Sequence, residues 1–63
     1  MDIAEVAALI AGRINNRGGQ LYASVREDRA GVQIDVTFIP PDAPVRRFVL
    51  CMGELPRVPQ NED

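Results

Sequence analysis

The sequence predicts an α+β fold in which one N-terminal helix packs on a three-stranded antiparallel meander, in the order αβββ. Apolar residues recur at helical spacing from Ile3 to Ile14, and that pattern stops at Gly18-Gly19. The period then falls to two over Gln20 to Arg26 and again over Val32 to Phe38, with a short Gly-containing turn between. A third apolar run, from about Val45 to Met52, follows a proline cluster. Each element has its own local justification.

The helix begins at Asp2, whose short side chain suits an N-cap, and Glu5 stands three residues later to complete a capping-box-like pair. At 100° per residue Ile3, Val6, Ala7, Ile10 and Ile14 fall on one stripe with Leu9 on its flank, and this stripe is expected to be the core face. Arg17 suits the negative end of the helix dipole, and Gly18-Gly19 supply a left-handed cap, so the helix should stop near Asn16 or Arg17. Ala4, Ala8 and Gly12 make a smooth strip on the opposite side that another helix could approach closely. Alanine is also simply a good helix former, whereas Gly12 in mid-helix costs about 1 kcal/mol relative to Ala.

In the first strand Leu21, Ala23 and Val25 face one way and Tyr22, Ser24 and Arg26 the other. Asp28, Arg29, Ala30 and Gly31 form the turn, with Gly31 placed where a positive φ is needed. The second strand alternates most cleanly, with Val32, Ile34, Val36 and Phe38 against Gln33, Asp35 and Thr37. Pro40, Pro41 and Pro44 end it because proline has no N–H for the ladder. Residues 1–53 thus read as a single domain, and 54–63, with Pro56 and Pro59, as an extended acidic tail.

The third strand breaks the alternation. Phe48, Val49, Leu50, Cys51 and Met52 are consecutive apolar residues, so if Phe48, Leu50 and Met52 meet the helix, Val49 and Cys51 point at the open face. A meander also leaves this strand on an edge, with unpaired main-chain groups along one side. The tail folding back, a second copy of the chain, or a partner protein could cover it. A scaffold this small without disulfides commonly needs association, so a homodimer through the third strand or the open sheet face, or an obligate partner, is expected.

Composition excludes several functions. The 63 residues are 46% hydrophobic and 25% charged, the signature of a folded chain with room for one small domain. A lone Cys51 and no His remove both a disulfide framework and the usual zinc sites, so no cofactor or metal is expected. The carboxylates are dispersed among the helix start, the turn, the proline loop and the tail, and only Asp35 sits mid-strand, where pairing with Arg26 or Arg47 is its natural role. Cys51 reads as a small buried hydrophobe rather than a nucleophile. An enzyme is not expected. The N-terminus lacks the features of a signal peptide, and no segment approaches the roughly 20 apolar residues of a membrane span, so a cytoplasmic location and no membrane contact are expected.

Binding remains. All 7 basic residues are Arg, a usage that a GC-rich genome accounts for, and against 9 acidic residues they leave a net charge of −2, without the basic excess of a phosphate-neutralising protein. Tyr22 beside Arg26 and Arg47 nevertheless makes an open-face nucleic-acid contact the alternative reading. A helix followed by three antiparallel strands resembles the front of double-stranded-RNA-binding domains, without their basic closing helix. The leading expectation is a non-catalytic inhibitor or adaptor that sterically blocks a larger protein. In it Arg26, Arg29, Arg46 and Arg47 would clamp partner carboxylates around an apolar centre including Val49 and Cys51, with Tyr22 alongside. A structural subunit of a larger assembly would look the same. In size and Ala- and Arg-rich character the chain resembles the accessory products of bacteriophages and other mobile elements, including anti-CRISPR inhibitors, though no motif carries this resemblance.

Overall fold

The computed structural model describes residues 1–58. Helix α1 (Ile3–Arg17) is followed by strands β1 (Leu21–Asp28), β2 (Gly31–Phe38) and β3 (Arg46–Cys51). They form one antiparallel sheet in the order β1-β2-β3, with α1 on one face, the fold class expected from the sequence. Glu54 to Val58 are exposed and form no helix or strand; the rest of the expected tail, 59–63, lies outside the described residues.

Both helix ends follow local chemistry. Asp2 is extended and its carboxylate accepts from the Glu5 N–H at 2.9 Å, while the Asp2 N–H donates to Glu5 Oε1 at 2.9 Å. The expected capping box is therefore closed in both directions. At the other end Gly18, Gly19 and Gln20 take φ of 76, 71 and 67° in succession, which turns the chain back along the sheet. Gln20 then fixes the start of β1, because its carbonyl accepts from the Ile39 N–H at 3.0 Å. The β1–β2 hairpin is tight: Asp28 lies opposite Gly31, whose φ of 120° excludes ordinary side chains, and Asp28 Oδ1 accepts from the Ala30 N–H at 2.9 Å.

The helix seats on the sheet by a different side from the one its bulky residues suggest. Ala7 and Ala11 are buried against Val32 and Ile34, with Ile3, Ala4, Ala23, Val36 and Met52 packed around them. The expected core stripe is thereby corrected: Ala7 belongs to it, Ile3 and Ile14 are half-buried, and Val6, Leu9 and Ile10 are exposed. The expected smooth strip dissolves too, since Ala4 packs on the core while Ala8 faces solvent. Asn15 supplies the physical reason. Its side-chain amide donates to the Ala23 carbonyl and accepts from the Ala23 N–H, both at 2.8 Å, so it acts as a one-residue partner for the outer edge of β1. With Asn15 bonded there, the alanine side of α1 is the side that meets the sheet, and Ala7 and Ala11 fill the layer between them.

Candidate interaction surface

The register assigns every strand residue to a face, because directly opposed residues in an antiparallel pair project to the same side. Val25, Ile34 and Leu50 form one row under the helix layer, and Ala23, Val36 and Phe48 the next. On the opposite, open face the rows are Tyr22, Thr37 and Arg47; Ser24, Asp35 and Val49; and Arg26, Gln33 and Cys51. Arg46, opposite Phe38, lies on the helix side, and Arg29 sits at the hairpin tip.

The candidate residues therefore divide. Tyr22, Arg26, Arg47, Val49 and Cys51 share the open face, whereas Arg46 stands on the other side of the sheet from Arg47. Within the expected four-arginine clamp, Arg46 and Arg47 therefore project from opposite faces of the sheet, because adjacent strand residues alternate. Arg26 is already engaged: its Nε and Nη2 donate to the two Asp35 oxygens at 3.0 and 3.1 Å, and Nη1 donates to Asp28 Oδ2 at 3.1 Å. Asp35 thus takes the cross-strand role expected of it. Cys51, expected to be buried, is exposed on the bare edge strand.

These contacts set a pH dependence. The Arg26 hydrogen bonds, and secondarily the positive charges of Arg26 and Arg47, hold the Asp35 carboxyl below its ordinary value of 3.8. A depressed carboxylate stabilises the fold above the unfolded value, and that stabilisation is lost as the pH falls through the folded one. Acid titration of unfolding should therefore show stability dropping below about pH 4, the unfolded carboxylate range. Asp35→Asn should be less stable at neutral pH and flatter in this acid limb; an unchanged limb would assign the loss to other carboxylates.

The other face carries the larger exposed apolar surface. No Cα of α1 comes within 8 Å of a Cα of β3, so the helix covers β1 and part of β2 and leaves β3 bare. Phe48 and Leu50, expected to lie under the helix, are 44% and 46% exposed. Val6 and Ile10 lie on the flank of α1 turned away from Asn15, hence toward β3, and each is 37% exposed. With Phe48 and Leu50 exposed on the helix side of uncovered β3, these residues border the open step between α1 and β3, an apolar trough in this sense. Arg46 stands at its rim with its guanidinium 5.0 Å from the centre of the Phe48 ring. At one end of the trough Ile3, Val6 and Met52 help line a cleft of about 260 Å³, small for a metabolite site.

Among the described residues no cluster of His, Cys, Asp and Glu is arranged to hold a metal ion. Nor is any helix among them long and apolar enough to cross a membrane. Comparison with protein families, curated proteins and solved structures finds no match. The surface must be read from its own chemistry. Sequence reasoning had placed the trough residues Val6, Ile10, Phe48 and Leu50 in the core. One signal was available that part of this set stays exposed, though not which part: a single short helix cannot cover three strands.

Proposed function

We propose that this chain is a non-catalytic protein-binding module, an inhibitor or adaptor that acts by occupying a surface of a larger protein. The observation that supports this most is the open trough, an apolar strip walled by Val6 and Ile10 and floored by Phe48 and Leu50. Contiguous apolar surface with a polar rim is the usual mark of a protein contact, and Arg46 supplies a rim cation suited to a partner carboxylate. The mechanism is steric, of the kind used by small accessory inhibitors of bacteriophages and other mobile elements. A subunit that completes a larger assembly would use the same trough.

The nucleic-acid alternative draws less support. Of the two open-face strand arginines, Arg26 is tied to Asp35 and Asp28, and Tyr22 stands two strands away from the other, Arg47. The net charge of −2 adds no attraction for phosphates.

The trough reading makes the two neighbouring arginines unequal. Tagged protein should retain a partner at stoichiometric yield from nuclease-treated lysate of its source cells. Arg46→Glu should then weaken retention by about tenfold or more, the effect of removing a contributing interface residue. Arg47→Glu, on the far face, should retain the partner as well as the unsubstituted chain does. Loss with Arg47→Glu alone would move the contact to the open face, and retention that requires nucleic acid would favour the alternative.

A further inference from the structure

We propose that two copies of this chain associate through the exposed edges of β3, in an antiparallel register centred on Val49 of each copy. A three-stranded sheet has two edges, and here they differ. The β1 edge is occupied at Ala23 by the Asn15 amide, whereas nothing among the described residues pairs with the outer side of β3. Among the described residues the segment that follows β3 does not cover it either: Leu55 and Val58 are more than four-fifths exposed.

The direction of the unpaired groups is fixed by one hydrogen bond. The Met52 N–H donates to the Val32 carbonyl at 3.0 Å, so Met52 faces β2. By alternation Leu50, Phe48 and Arg46 also turn their main-chain groups to β2, and Arg47, Val49 and Cys51 turn theirs outward. Val49 is the middle of these three. A two-fold axis there uses all of them and pairs Val49 with Val49, Arg47 with Cys51, Phe48 with Leu50 and Arg46 with Met52 of the other copy. No like charges meet. An axis at Arg47 would instead set that cation against itself, and one at Cys51 would push Arg46 and Arg47 beyond the partner strand.

Pairing of this kind is also closed. It joins the two sheets into six strands whose remaining edges are the β1 edges plugged at Ala23 by Asn15, so the assembly stops at two copies.

The association needs no other protein, so it and the partner-binding reading can fail separately. Light scattering on the eluting full chain at about 100 µM, where micromolar contacts are saturated, should give twice the 6.9 kDa chain mass. Val49→Pro removes one outward N–H and none of the donors to β2, so it should elute as a folded monomer by circular dichroism. Should that variant fail to fold, crosslinking decides. Val49→Cys with Cys51→Ser should oxidise to a linked dimer, because opposed Cα atoms in such a pair stand about 5.5 Å apart, within disulfide reach. The unsubstituted chain should stay unlinked, since the two Cys51 residues are four positions apart in this register, about 13 Å along the strand. A monomeric unsubstituted chain overturns the proposal. So does a dimer that links through Cys51 rather than through a cysteine at position 49.

Discussion

Ile34→Ala should abolish cooperative folding. Ile34 is the only large side chain in the described structure that is fully buried, and it lies mid-sheet between Val25 and Leu50, beneath the alanines of α1. The buried core otherwise consists of Ala7, Ala11 and Val32, none of which can expand to fill the cavity. Truncating a buried Ile to Ala costs about 2–5 kcal/mol, the transfer free energy of the lost atoms plus the void left behind. A single core at this chain length supplies only about 3–5 kcal/mol, so the substitution removes most of what there is. Urea titration followed by circular dichroism is the direct measurement. The expected result is loss of the folded baseline in water at 25 °C; a midpoint close to that of the parent chain would show that the core is centred elsewhere.

The second large effect runs in the opposite direction of size. Ala7→Leu should destabilise by about 1–3 kcal/mol, the usual range for overpacking. Ala7 is 0% exposed, packed in the core layer between α1 and the sheet. Three added carbons there must lift the helix, and lifting it stretches the Asn15 bonds to Ala23, so an uncapped sheet edge adds to the loss. The control is Ile10→Ala. Ile10 is already more than a third exposed, so its truncation should cost clearly less than Ala7→Leu. Urea midpoints for the two variants settle the order, and the reverse order would return the bulky stripe of α1 to the core.

That pair of variants marks where sequence reasoning and structure part. The extents of the elements were legible because each is set by contacts within a few residues: the Asp2–Glu5 box, the run of positive φ from Gly18 to Gln20, the Asp28–Gly31 hairpin and the prolines after β2. The Arg26–Asp35 pair was also legible, since alternation and a tight turn place the two residues near each other across neighbouring strands. The rotation of α1 was not. A helical wheel ranks faces by hydrophobicity, and the isoleucine side of this helix outranks the alanine side. One polar side chain, Asn15, bonds the edge of β1 at Ala23, on the flank of the less hydrophobic face that meets the sheet.

The same rotation decided the candidate site. Sequence alone established the αβββ order, the edge position of the third strand and its unbroken apolar run, because periodicity and turn chemistry are properties of adjacent residues. It gave no means of telling which apolar residues the helix would cover, since coverage depends on the angle and offset of two packed layers. Tertiary structure placed α1 over β1 and away from β3, which moved Phe48 and Leu50 out of the core and into the trough. It also set Arg46 and Arg47 on opposite faces and tied Arg26 to two carboxylates, because strand register and cross-strand pairing depend on the packed sheet rather than on adjacent residues.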